Sequence, residues 1–185
     1  FALLARVVVV AGGSWSTGSF SVEGYQTPVN TPGPWGDQRT VTTGFLPTLG
    51  VPLINGRQFT EQDGPGAPNA VIVDEEMVSR YWPKDDPIGK RITFNELTDS
   101  VITWITVVGV VGHTMHEGLD AEKRIQVYFP VAQDGAPFMT FAVRTGGEPL
   151  AAVGAVRAAL TAVDPDVAIS GVSAMDELVS NSTGP

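Results

Sequence analysis

The chain has 185 residues, 43% hydrophobic and 17% charged, with 21 glycines and 14 prolines, which is enough for one domain, or two small intimate ones, rich in turns. A net charge of −9, with its 11 Lys and Arg scattered, excludes the clustered basic face that nucleic acid needs and argues against adhesion to anionic lipid. The absence of cysteine excludes disulfides, thiolate catalysis, zinc fingers and iron–sulfur ligation.

In chain order, Val7–Ala11 reads as a fully buried strand, because consecutive valines favour extended backbone and leave no polar face. "GGSWSTGSF" reads as a flexible loop, and "FSVEGY" as a weak strand. "TPVNTPGPWG" is a loop, since Pro28, Pro32 and Pro34 remove ladder donors. A strand, a helical turn around Phe45–Leu49 and a strand from Val51 follow. "NAVIVDEEMVSRYWP" carries the clearest punctuation. Asn69–Val73 is a strand, Asp74 caps a helix, Glu75 and Glu76 complement its dipole, Glu76 and Arg80 pair at i,i+4, and Pro83 stops it. "KDDPIGKRITF" turns back into a strand, and Val101–Val111 reads as one long strand, apolar on both faces. "RIQVYFP" and "FMTFAVRT" are further strands. "EPLAAVGAVRAALTAVDP" is a helix whose Leu150, Val153, Val156, Leu160 and Val163 form a buried stripe. Val167–Val172 is a strand and Met175–Val179 a short helix. The sum is α+β, with no internal repeat.

The longest apolar runs, Phe1–Gly13 and Val101–Gly112, fall short of the about 20 residues that span a bilayer. The chain starts at Phe1 without an initiator Met, and is expected to be part of something longer.

Local chemistry offers little. Gly13 and Gly18 have phosphate-loop spacing, but Ser19-Phe20 stands where Lys-Ser or Lys-Thr is required. The same segment fails as a nucleophile elbow, because Ser16 rather than glycine follows Ser14-Trp15. His113 and His116, with Glu117 and Asp120 nearby, lie between Gly112 and Gly118, so they read as solvated loop residues rather than a zinc site; their H-x-x-H-E order matches no helical zinc motif. Asp85-Asp86 and Asp164-Pro165-Asp166 sit in proline turns, where Asp is expected for backbone reasons. Trp15, Trp35, Trp82 and Trp104 are assigned to packing, and Asn181-Ser182-Thr183 is a formal glycosylation sequon. No catalytic, cofactor-binding or metal residue is assigned, and no cofactor is expected.

Several stretches together are similar to one family. "VTTGFLPTLGVPLINGRQFTEQD" resembles a segment of MacB/FtsX-type ABC transporter permeases through Gly44, Phe45, Leu49, Gly50, Leu53, Gly56, Arg57, Phe59 and Asp63. "AVIVDEEMVSRYWPKDDPIGKRITF", "WITVVGVVGHTMHEGLD", "VYFPVAQ" and "FAVRT" with "AVRAALTAVDPDVAIS" follow in the family's order. The resemblance covers essentially the whole chain. It departs at His113, where the family usually has Asp, and at "FALLARVVVVA", which is shorter than the family's first helix and strand.

The resemblance implies a periplasmic, extracytoplasmic core domain of an inner-membrane permease. It implies a two-lobed α+β unit: a porter-like β-α-β lobe from both chain ends, residues 1–45 and 136–185, and an inserted, mostly β, Sabre-like lobe, residues 46–135. It implies a non-catalytic part that transmits ATP-driven movement across the membrane for efflux or envelope export. Its expected partners are an ATP-binding subunit reached through the parent permease, a second permease copy and a periplasmic or envelope protein, with no nucleic acid. Two other readings follow from the residues: a ligand-binding sensor with a cleft lined by Tyr25, Trp35 and the Pro32 loop, and a metal-dependent hydrolase using His113, His116 and Glu117.

Overall fold

A computed structural model describes residues 6–10, 15–114, 123–134, 141–166 and 171–182, and arranges their strands in two sheets. The larger contains β2 (Trp15–Ser19), β3 (Ser21–Val22), β4 (Trp35–Val41), β5 (Leu53–Gly56), β6 (Ala70–Asp74), β7 (Arg91–Thr93), β8 (Ile105–Val111) and β9 (Ile125–Pro130). Its order is β2-β4-β9-β6-β8-β7-β3, and β5 pairs with β8. β4 runs parallel to β9 and β6 parallel to β8, whereas β6 and β9 are antiparallel.

β6 is buried at all five positions, as its unbroken apolar run predicts for a strand covered on both faces. Val71 and Val73 face one core with Phe20, Val22, Ile92, Val107 and Val127. Ala70 and Ile72 face the other, with Val41, Val51, Phe59, Val111 and Tyr128. Two elements close these cores: α2 (Glu75–Tyr81), which puts Met77 into the first, and α1 (Phe45–Leu49), which puts Leu46 into the second. The expected punctuation of α2 is present. Asp74 accepts from the Met77 amide at 3.0 Å, and Arg80 Nε donates to Glu76 Oε1 at 2.7 Å.

β5 crosses β8 very closely. A Cβ on Gly109 would lie 2.2 Å from the Arg57 carbonyl oxygen, and one on Gly56 (φ +71°) 2.4 Å from the Val108 oxygen. Only glycine fits either position. The turn that follows is closed by Asp63, which is 4% exposed. Its carboxylate takes both Arg57 nitrogens, at 2.7 and 2.8 Å, and the Thr60 amide at 2.8 Å.

The smaller sheet has the order β10-β1-β11, from β1 (Arg6–Val10), β10 (Phe141–Thr145) and β11 (Val172–Ala174). β1 is antiparallel to both neighbours, so β10 and β11 are parallel; a 3-10 turn (Pro149–Ala152) and α4 (Val153–Val163) lie between them in the chain. The short helix α3 (Val131–Asp134) precedes β10, and α5 (Met175–Ser182) packs on β1 and β11.

The structure differs from the sequence reading in several places. "WSTGS" is a strand rather than a loop, because β4 supplies a pairing partner over its whole length. The stretch from Val101 becomes strand only at Ile105; before that, the Thr103 amide is held by Asn95 Oδ1 at 2.8 Å. The stripe on α4 is not buried. Val153, Val156 and Leu160 are only half-buried, Val163 is 86% exposed and Leu150, in the preceding 3-10 turn, 55%, because a three-stranded sheet offers little face to cover. The last strand is Val172–Ala174, while residues 167–170 lie outside the described residues. The strands between 15 and 41 hydrogen-bond into the larger sheet.

Candidate functional site

Parallel pairing of β6 and β8 brings their ends level, Asp74 opposite Val111, so His113 arrives beside the N-terminus of α2. Its Nδ1 lies 2.6 Å from Asp74 Oδ2, with the two side chains 6% and 0% exposed. Asp74 is therefore divided between two tasks: Oδ1 caps α2 through the Met77 amide, and Oδ2 holds the imidazole. Burial pushes the Asp74 carboxyl above its ordinary range, against the His113 hydrogen bond and the Met77 and Gln126 amides, which favour the ionised form.

Beside this pair β9 contributes Gln126 and Tyr128. Tyr128 Oη donates to Gln126 Oε1 at 2.6 Å, Thr114 Oγ1 donates to the same oxygen at 2.7 Å, and Gln126 Nε2 donates to the Thr114 carbonyl. Burial drives the Tyr128 hydroxyl up to about 12, so it stays a protonated donor. Asp37, on β4 opposite Gln126 in the parallel register, is 3% exposed, and its Oδ1 has no hydrogen-bond partner among the described residues. The cluster is a closed polar knot that fixes the chain leaving β8 to α2 and β9.

His113 is thus not the solvated loop residue its glycine-flanked context predicts. The pairing register that buries it is not written in its neighbours. Of the alternative hydrolase set His113, His116 and Glu117, only His113 lies among the described residues, and Asp120 lies outside them too. Among the described residues no three His, Asp or Glu side chains are grouped to hold a metal ion. A hydrogen-bonded Asp–His pair is the positioning half of an acid–base device, and here the imidazole is enclosed.

The remaining candidates have structural occupations. Asp86 Oδ1 accepts from the Ile88 amide at 3.0 Å and from Asn55 Nδ2 at 3.2 Å, and Lys90 lies 3.3 Å from Asp85. Asp164 Oδ1 accepts from the Asp166 amide at 2.9 Å. Trp82 is buried, while the rings of Trp104 and Trp35 carry the guanidinium groups of Arg91 and Arg124 at 5.4 and 5.3 Å. Tyr25 packs edge-on to Tyr81, and with Val22, Pro34 and Leu97 it lines an open groove of about 350 Å³. Gly18 lies in β2, within a paired strand.

Residues 3–172 match the family described as MacB-like periplasmic core domain. The chain belongs to this family. Among curated proteins no sequence matches it. Solved structures share the fold. The periplasmic region of MacB from Actinobacillus actinomycetemcomitans is 16% identical with a TM-score of 0.59, over 96% of this chain and 77% of that one. A domain of a putative permease from Porphyromonas gingivalis is 15% identical with a TM-score of 0.52, over 91% of this chain and 74% of that one. The extracellular domain of the noncanonic ABC-type transporter YknZ from Gram-positive bacteria is 15% identical with a TM-score of 0.51, over 80% and 68%. The MacB-like α+β fold is thereby established, and among the described residues no helix is long and apolar enough to cross a membrane.

Proposed function

We propose that this MacB-like domain is a non-catalytic mechanical part of an ABC transporter permease, placed outside the membrane and moved by ATP hydrolysis on the other side. The observation that carries the reading is the placement of the two ends of the described chain. β1 pairs with β11 in antiparallel register, Val8 opposite Ala174 and Val10 opposite Val172. The start of β1 and the end of β11 therefore lie level at one end of the small sheet, with α5 following from Ala174 and packing on the same two strands, an arrangement suited to a unit carried between two membrane helices. The larger sheet then forms the distal body. In this reading the smaller sheet with α4 and α5 is the porter-like lobe and the larger sheet the inserted one. The first boundary falls nearer residue 15 than residue 45, since β2 to β4 pair in the larger sheet. The proposed partners are an ATP-binding subunit and a second permease copy.

The test uses the parent permease in intact cells with cysteine introduced at Val163, which is 86% exposed in a chain without cysteine. A membrane-impermeant maleimide is expected to label it from outside. Labelling only after lysis overturns the placement.

A second reading, a ligand-sensing domain, rests on the Tyr25–Leu97 groove, which contains Tyr25 of the expected cleft but neither Trp35 nor Pro32. A melting-temperature screen against envelope peptides, lipids and antibiotics tests it, and no shift at saturating concentration disposes of it.

A further inference from the structure

α1 and β10 belong to different sheets, and they meet. Leu46 of α1 is 1% exposed in the second core of the larger sheet, with Phe45 and Leu49 packed around it, whereas β10 pairs with β1 in the smaller one. At their junction Arg144 Nε donates to the Thr48 carbonyl oxygen at 2.8 Å, across 96 residues of chain.

The acceptor is a natural one. The last carbonyls of a helix have no partner within it and carry its negative end. α1 ends at Gly50 in the left-handed region (φ +75°), where the Gly50 amide returns to the Leu46 and Pro47 oxygens and leaves the Thr48 oxygen for an outside donor. Arg144 takes that place and lies along the turn; a Cβ on Gly50 would approach its Nη2 to 3.0 Å. The guanidinium is exposed, and it belongs to neither core. This charge-assisted hydrogen bond at the surface joins the two bodies where α1 and β10 meet, and it can open without disturbing the core packing of either.

We infer that Arg144 is a latch between the two sheets, closed when it caps α1 and released when they change their relative angle. This deepens the mechanical reading and rests on it only for its purpose; the latch is a property of the chain by itself. Its test is therefore independent of where the domain sits in a cell.

Spin labels on Ser79→Cys in α2 and Ala158→Cys in α4, both exposed, report the distance between the two bodies without background thiols. With Arg144 present, a single narrow distance distribution is expected. In R144A the distribution broadens or splits, while circular dichroism and the unfolding midpoint of the larger sheet stay in place. An equally narrow distribution in R144A, or one already broad with Arg144 intact, overturns the latch. Should R144A lose its fold, the same measurement in R144M, which keeps the apolar stem but neither donor nor charge, decides by the same criterion.

Discussion

Gly109 has no room for a methyl group, because backbone rather than a flexible side chain stands 2.2 Å from where its Cβ would go. Gly109→Ala is expected to cost about 3 kcal/mol, read as a lowered urea midpoint with an unchanged slope. Two aspartates at nearby turns respond to pH with opposite sign. Asp63 is held below its ordinary value of 3.8, first by Arg57 and then by the Thr60 amide. Its contribution is complete above that value and is lost as pH falls through the depressed folded one. Asp63→Asn should therefore cost about 2 kcal/mol at neutral pH and progressively less in acid. Asp74 is raised above 3.8 by burial, so its contribution is present below that value and lost as pH rises through the folded one. Asp74→Asn keeps the cap acceptor and never ionises, so its penalty should be largest in acid and shrink toward neutrality. Chemical denaturation of both variants across the acid range separates the two behaviours; parallel profiles would contradict the assignments. The sequence announced Asp74 as a cap, because a strand, an Asp and two Glu stand in a row, but not that its second oxygen holds a histidine 39 residues away.

Elements followed the sequence wherever their cause was local. The strand–cap–helix run from Ala70 to Tyr81 was legible because an unbroken apolar run, capping, dipole complement and Pro83 all act within a few residues. β2 was not, since Ser16, Gly18 and Ser19 dilute the strand preference of Trp15 and Thr17, and its conformation comes from pairing with β4. α4 shows the converse. Its periodicity made a helix legible, but periodicity does not say how much sheet lies beneath, and the half-buried Val153, Val156 and Leu160 beside an exposed Val163 show how little does. Val163→Lys is expected to change stability by no more than about 0.5 kcal/mol. Ile72→Ala, at a position with no exposure in β6, should cost about 3 kcal/mol. Thermal and urea unfolding of the two variants compares stripe and core directly; equal losses would mean that α4 is anchored after all.

For the molecule as a whole, the α+β class and the family were legible from motifs in order, because each motif closes a turn: Gly56 and Arg57 at the β5 exit, Asp63 in the loop, Asp86 before β7. The order of strands in the larger sheet was not, since it joins residues 36–41 to 125–130 across most of the chain. Such distant parallel pairing makes closure slow relative to a helical protein of equal length. Val8 and Ala174, partners in one ladder, have a further consequence. The first and last strands of the described chain thus lie about one strand spacing apart, roughly 5 Å, with only α5 following the last, so we expect the unit to behave as a plug-in cassette. Grafted through short linkers into an exposed hairpin of an unrelated carrier, it should assemble without prying its host open, and a rearranged gene joining tail to head and cut at a loop of the larger sheet should still produce the same fold.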